Sequence, residues 1–492
     1  MLLGADIGTT HVKACMYDEE GRFLGGVQRP TPTRWLPDGG AEYDASALER
    51  VVFEAMGRAS ERFGPPRAIG IASMAESGFL IDGDGEPLLP AIAWFDARTA
   101  PQAARWKERM EPLELFSRTG LRLAPIFSAC KLEWLKDNSS DAWKRAAGWL
   151  GVAEYLVFRM TGERATDPSL ASRTMLYRPD PGEWDEELCE LAGVPPGLLP
   201  PVREAGTVGA HGLSASVARE ISAPAGVPVA VCGHDHVCGA FGTGAAKPGE
   251  AVDSMGTAEA CLLTLPDPPP SKAAYDGGLS VGRHVVPGSF YLAAGLPDSG
   301  GAVDWLLRLL EGDEENLSRW TYRARALSPG EGGVFLPLVH GEDHRAAFCA
   351  LSKDGRPEHL LRAMLEGLTL EIDAALKRAA RAAGIELEGL TLLGGGAKNA
   401  LWRQLKADAS GLPTRTVSDL ECVARGAAML AGVGADVFKD HDSVPTPGRD
   451  PGIHRPSGER AVYERLYSEV HEPLRRQLER PYSAWQAIRG TP

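Results

Sequence analysis

A chain of 492 residues, 43% hydrophobic and 24% charged, is too long for one ordinary core and has the balance of a water-soluble protein of at least two domains. Its 52 basic and 66 acidic residues leave a formal net charge of −14, which argues against nucleic acid or an anionic membrane as partner. No basic-then-apolar leader opens it, no apolar run is long enough to span a bilayer, and the eight cysteines lack CxxC or Cys/His metal spacing. A cytoplasmic protein with buried thiols is the expectation.

Leu2 to Asp18, LLGADIGTTHVKACMYD, predicts a strand, a tight Gly-Thr-Thr turn and a second strand. Asp6 falls at the strand end, where a carboxylate can face a metal. Gly8 lets the backbone come close to a ligand, Thr9 and Thr10 offer hydroxyls and N–H groups to an anion, and Lys13 adds a positive charge. An ordinary hairpin turn would carry the same residues. The phosphate reading gains weight from a second copy, Gly249 to Leu265, GEAVDSMGTAEACLLTL, in which Ser254-Met255-Gly256-Thr257 lies over Asp6-Ile7-Gly8-Thr9. Self-similarity at so long a period implies a duplicated domain, with halves at 1–244 and 245–492. Two such turns suggest a nucleotide held between two lobes, and only the first copy keeps the carboxylate.

Further along, Arg22–Gln28 reads as a third strand, and Asp44 caps a helix with Leu48, Val52, Met56 and Ala59 at helical spacing. The strand Arg67–Met74 runs into Ala75-Glu76-Ser77-Gly78, and Trp94, Asp96 and Arg98 follow a hairpin. A Trp face with the carboxylates of Glu76 and Asp96 suits a polyhydroxylated compound. A buried Trp94 and an Asp96–Arg98 ion pair fit the same residues. From Ala100 to Gly226 the pattern is mostly helical, its tryptophans packing between helices. Arg173 and Asp167 stand in this stretch with no spacing that assigns them a role.

Val227–Gly233 is a buried-type strand, with His234-Asp235-His236 at its end before the small-residue helix Val237–Gly244. Neighbours at a strand end point in different directions, which makes two histidines around an aspartate a poor chelate. Asp235 is better placed as a general base at the carboxyl end of an α/β strand. Asp298-Ser299-Gly300-Gly301 opens a helix, and Gly300 is counted among the nucleotide contacts. Pro357–Ala383 predicts a long amphipathic helix. In Leu390–Asn399, LTLLGGGAKN, a strand empties into three glycines that let a flat group lie on bare backbone. Gly395, Gly396 and the Asn399 amide are the candidates there; a plain connector is the alternative. The small-residue helix Val423–Val433 is expected beneath that loop. A Pro-rich linker, Lys439–Pro456, and a charged closing helix, Ser457–Arg480, end the pattern.

Taken together, DIGTTHVKA, GHDHVCGAFG, SMGTAEACLL and LGGGAKNALWRQLKAD…ARGAAMLAG resemble, in order, the motifs of the FGGY carbohydrate kinases. That group contains glycerol kinase and xylulokinase and lies within the actin–hexokinase–chaperone ATPase superfamily. The resemblance implies an α/β fold of two ribonuclease-H-like (actin-like ATPase) lobes with a central cleft for ATP and Mg2+. It implies transfer of the γ-phosphoryl group to a hydroxyl of a small ketose or polyol. Asp235 matches the base, and Asp6 with Asp235 the Mg2+ carboxylates. Thr9, Thr10 and Lys13 match the first phosphate contacts, Gly256 and Thr257 the second, and Gly395, Gly396 and Asn399 the adenosine contacts. Glu76 and Trp94 fall where the acceptor is held, with Asp96 and His236 beside them. The departures are Ala75-Glu76 where glycerol kinases have Arg-Glu, the absence in register of the Met-His of xylulokinases, and His236 where Gln or Asn is usual. A non-catalytic nucleotide switch on the same fold would keep the phosphate turns without needing Asp235 or an acceptor pocket. The expected partners are ATP/ADP and a small sugar or polyol, with no nucleic acid and no membrane; a homodimer is admitted.

Overall fold

The computed structural model describes residues 1–340, 343–417, 421–448 and 452–489, the side chains of 338–340 and 343–344 excepted. Compactness divides the chain into two units. One comprises Met1–Pro248, Leu262–Ala293 and Ser418–Gly448; the other comprises Gly249–Cys261, Ala294–Val417 and Arg449–Pro492. Two segments beyond residue 248 group with the first unit. Hydrogen bonds show why for one of them. The hairpin of 280–293 bonds into the helical layer of the first unit, with Val281 N–H donating to Gly120 O at 2.8 Å and Arg283 N–H to Ser172 Oγ at 3.0 Å.

The first unit is built on a five-stranded sheet. Its strands are β1 (Leu2–Ile7), β2 (His11–Tyr17), β3 (Phe23–Pro30), β4 (Ala68–Ser73) and β5 (Val229–His234), in the order β5-β4-β1-β2-β3. β1, β2 and β3 form an antiparallel meander in which Asp6 faces Lys13. β4 lies parallel to β1, and β5 parallel to β4. All six residues of β4 are buried, as a parallel strand covered on both faces requires. Helix α1 (Ala45–Phe63) starts where the Asp44 carboxylate accepts the Ala47 N–H at 2.9 Å, and it lays Leu48, Val52, Ala55, Met56 and Ala59 on β2 and β3. Each of the larger side chains contributes about 1.5–3 kcal/mol by leaving water. In the region 100–192, Trp106 is buried on a helix, Trp149 is buried on the strand Gly148–Gly151, and Trp134, Trp143 and Trp184 pack partly buried against the same core.

Helix α2 (Asp235–Gly242) leaves the end of β5, and helix α3 (Cys422–Gly434) packs on β1, β4, β5 and α2. α3 is the small-residue helix expected beneath the triple-glycine loop; it lies instead on the first unit's own sheet. The reason is steric. A Cβ on Gly4 would stand 1.8 Å from the Ala424 carbonyl oxygen, on Gly70 2.0 Å from that of Ala427, and on Gly242 1.8 Å from that of Cys422. Backbone meets backbone at each point, which only glycine permits.

In the second unit the strands Glu250–Met255, Gly389–Leu393 and Thr414–Thr416 run parallel. Pairing of Ser254 with Leu393 brings the turn after Met255 and the loop after Leu393 to the same edge. The helix Pro357–Ala383 spans the predicted residues and ends at Gly384 in the left-handed conformation, φ 66°. The closing segment holds the helices Arg460–Arg465 and Glu472–Arg489, joined by a π-turn over Leu466–His471. Among the described residues, no helix is long and apolar enough to cross a membrane.

Candidate active site

The parallel strands of the first unit end together. Ile7 pairs with Ser73 and Ser73 with His234, so the residues just beyond them meet at one sheet edge. Such carboxyl ends are where α/β sheets bind ligands. β1 delivers Asp6 and the Gly8-Thr9-Thr10 turn, β4 delivers Ala75-Glu76, and β5 delivers His234 and Asp235.

The turn is held by a Gly8 N–H bond to His11 O at 3.1 Å and by the Thr31 hydroxyl on Gly8 O at 2.7 Å. Trp94 joins it: the indole N–H donates to Thr9 Oγ1 at 2.8 Å, tying a proposed acceptor contact to a proposed phosphate contact. Lys13 Nζ is paired with Glu421, 2.6 Å away at the start of α3. Burial, and then the like charge of Asp235, pushes the Asp6 carboxyl up to about 7.

Asp235 is pushed up to about 7, by burial first and the charge of Glu76 in addition. Its Oδ1 accepts the His236 N–H at 2.6 Å and lies 3.2 Å from His234 Nε2. Burial holds His234 well below its usual range, and burial together with Arg173 lowers His236 to about 4, so both rings are neutral near pH 7. Donor atoms of His234, Asp235 and His236 lie within 4.8 Å of one another. They converge more than neighbours at a strand end were expected to, because the chain turns from β5 into α2 at Asp235.

Glu76 has φ 65°, a left-handed backbone that costs a non-glycine residue about 1–3 kcal/mol. Its buried carboxylate is gripped by Arg173, whose Nε and Nη2 stand 2.6 and 2.5 Å from Oε1. The Arg173 guanidinium lies 5.1 Å over the Phe127 ring. Arg173 follows the short helix Pro168–Ala171, which Asp167 caps through the N–H groups of Ser169 and Leu170 at 2.9 and 3.1 Å. Ser169 Oγ in turn accepts the His234 N–H at 2.9 Å, linking this segment to β5. The arginine absent beside Glu76 in sequence therefore reaches it from 97 residues away. No spacing rule assigns that partner. Lys131, also without a signal in the sequence, is buried with its ammonium on the carbonyls of Ile126 and Trp94, and burial lowers it to about 8.

Asp96, expected among the acceptor contacts, is taken up internally. Arg98 donates from Nε at 2.9 Å, from Nη2 at 2.7 Å and from its backbone N–H at 2.9 Å, and the Ala41 N–H adds a fourth bond at 2.6 Å. Arg98 also bonds Glu42 at 2.7 Å. Asp96 therefore fixes the Trp94 loop rather than facing a ligand.

In the second unit, Gly256 and Thr257 form a turn whose carbonyls accept N–H groups from the start of the helix Gly300–Leu309. Gly300 donates to Gly256 O at 3.0 Å, and Ser299 and Gly301 donate to Thr257 O at 2.9 and 3.1 Å. A Cβ on Gly300 would stand 2.5 Å from Gly256 O. Gly300 thus serves close approach to the turn, and its N–H is engaged there. The Asn399 Oδ1 caps the helix Ala400–Ser410, accepting from Leu401 N–H at 3.0 Å and Trp402 N–H at 3.2 Å, and its Nδ2 stands 3.4 Å from Thr321 Oγ1. Gly395 is open, with no atom within 4 Å of where a Cβ would be, while Gly394 takes φ 91° against the Met255 carbonyl. A cavity of about 540 Å³ lies beside Thr257, lined by Pro297, Asp298, Trp305, Arg308 and Phe335 among others.

Residues 1–242 match the FGGY family of carbohydrate kinases, N-terminal domain, and residues 251–435 match its C-terminal domain. A glycerol kinase of Geobacter sp. (strain M21) is 32% identical over 458 residues, covering 89% of this chain and 90% of that protein. A glycerol kinase of Halorhodospira halophila is 30% identical over 502 residues, covering 97% and 96%. Among solved structures, a xyloylose kinase from Brucella ovis superposes with TM-score 0.87 at 25% identity over 98% of this chain and 99% of the other. Plasmodium falciparum glycerol kinase with ADP gives TM-score 0.87 at 22% identity over 96% and 97%. The two-lobe ribonuclease-H-like α/β fold and the acidic edge of the sheet define a carbohydrate kinase, a phosphotransferase with an alcohol group as acceptor. The chain belongs to the FGGY family.

Proposed function

We propose that this protein moves the γ-phosphoryl group of ATP to a hydroxyl of a small polyol or ketose, with Asp235 as the base that accepts the hydroxyl proton. Phosphoryl transfer asks little covalent chemistry of a protein; positioning and charge stabilisation do most of the work. A buried carboxylate whose affinity for protons is raised to about 7 is suited to take a proton late in that step. Arg173 occupies Glu76 Oε1, leaving Oε2 for an acceptor hydroxyl, and the indole of Trp94 offers a face to the C–H side of the acceptor. His236, neutral beside Asp235, adds a ring nitrogen. The glycerol kinases to which the chain is similar favour a short polyol, with Arg173 supplying the charge that Ala75 lacks.

Thr9, Thr10 and Lys13 in the first unit, and Gly256, Thr257, Gly395 and Gly396 in the second, are assigned to the nucleotide. Asp6 and Asp235 fit Mg2+: they are hard oxygen donors, and the mutual repulsion that helps raise Asp6 is the kind a divalent cation relieves. When bound, that ion would supply charge neutralisation at the phosphoryl oxygens.

The observation that carries this reading is the meeting of Asp235, Glu76 and Arg173 at the carboxyl edge of one sheet. The test is a coupled ATP-consumption assay over a panel of polyols and ketoses, run on wild type and Asp235→Asn. An accepted substrate should be turned over at least about a thousandfold more slowly by the variant, with the affinity for ADP in the absence of Mg2+ unchanged. Equal rates would remove Asp235 from the role.

A further inference from the structure

Ser299 stands at the N-cap of the helix Gly300–Leu309, where a serine hydroxyl ordinarily accepts an N–H of the first turn. Here the cap bond is missing. Its φ of −136° and ψ of −77° depart from the extended cap geometry, and Oγ donates instead to Glu259 Oε2. Glu259 Oε1 in turn receives Lys406 Nζ, which also stands 2.8 Å from Asp253 Oδ2. None of the four residues is more than 3% exposed. Burying one cation between two carboxylates is a costly way to fill a core, and apolar side chains of similar size usually serve stability better. The cluster therefore calls for a reason beyond packing.

Its position supplies one. Asp253 and Glu259 lie on the two strands that flank the turn Gly256–Ala258, and Lys406 joins them across it. Ser299 adds the helix whose first N–H groups hold the carbonyls of Gly256 and Thr257. Because a trans peptide points its N–H opposite to its carbonyl, this grip turns the N–H groups of Thr257 and Ala258 away from the helix. Those donors then present a fixed pair to an anion, without reorganisation on binding. We propose that Lys406, Glu259 and Ser299 are positioning residues that set the second phosphate turn for the nucleotide's phosphates. The inference rests on the kinase reading above, and deepens it on the nucleotide side.

The test is calorimetric titration of the full-length protein with ADP and Mg2+, together with KM values for ATP and for the accepted sugar or polyol. Ser299→Ala removes the hydroxyl and leaves the backbone bonds of the turn in place. It should weaken ADP binding and raise the ATP KM about tenfold, with the acceptor KM unchanged and the melting temperature lowered only as far as the loss of one buried hydrogen bond lowers it. Ser299→Thr, which keeps a hydroxyl, should restore most of the loss. Lys406→Met should show the same selective loss, and if it yields no soluble protein Ser299→Ala decides. ADP affinity equal to wild type in Ser299→Ala would overturn the inference. So would a parallel loss on nucleotide and acceptor, which is the mark of general loosening. A wild-type protein that binds no ADP would remove the kinase reading itself.

Discussion

Glu76 holds two costs at once, a left-handed backbone and a buried charge, and Arg173 offsets the second. Removing the partner should expose both. Arg173→Met is expected to raise the acceptor KM at least about tenfold while leaving the ATP KM unchanged, measured by steady-state kinetics at saturating co-substrate. A purely nucleotide-side effect would overturn the assignment of Glu76 to the acceptor. Glu154 offers a test of burial away from this chemistry. One oxygen accepts the Thr166 hydroxyl at 2.7 Å, the other has no hydrogen-bond partner among the described residues, and burial raises the group from 4.5 to about 7. The folded state therefore prefers the protonated acid. Its contribution to stability is complete below pH 4.5 and is lost as pH rises through about 7. Glu154→Gln should be more stable than wild type at about pH 8.5, by on the order of 3 kcal/mol, and the gap should close at about pH 4.5. A gap independent of pH would show that folding leaves the affinity of this carboxyl for protons unchanged.

Elements in this molecule meet through glycine at two kinds of place, and substitutions separate them. Gly70 lies under α3 with a carbonyl where its Cβ would be, so Gly70→Ala must push helix and strand apart. A loss of about 1–3 kcal/mol or more is expected, seen in chemical unfolding. Gly395 is open and already takes φ −62°, so alanine should leave stability unchanged there. If the adenosine portion of the nucleotide lies on that backbone, Gly395→Ala should raise the ATP KM with no change in melting temperature. An unchanged ATP KM would make the loop a connector. The same contrast explains what was legible. A run of small residues, Val423–Val433, announces a helix that packs closely. It does not say against what, since Gly4, Gly70 and Gly242 are equally plain in sequence and only their approach to α3 picks them out. The strand ends carrying Asp6 and Asp235 could be read because a buried apolar run followed by a polar residue is local information.

At the scale of the whole chain, the first unit is discontinuous, and a fragment of residues 1–248 lacks both the 280–293 hairpin and α3. Without α3, the surface of β1 and β4 that it covers is left to water. The fragment is expected to be insoluble or to bind a hydrophobic dye strongly. A monomeric fragment with a cooperative melt would show instead that the returning segments are accessory. What the sequence determined by itself was the class of chemistry, because strand, glycine turn and carboxylate are written within a few residues of one another. The repeat of the glycine-threonine turn, and the carboxylate at a strand end before a helix, needed no more than that. Tertiary structure alone decided the partners: Arg173 for Glu76, Arg98 and Ala41 for Asp96, Glu259 for Ser299, Lys406 for Glu259. Each is a choice among many like residues, made by the geometry of packing, and a charge far along the chain carries no mark of which opposite charge it will meet.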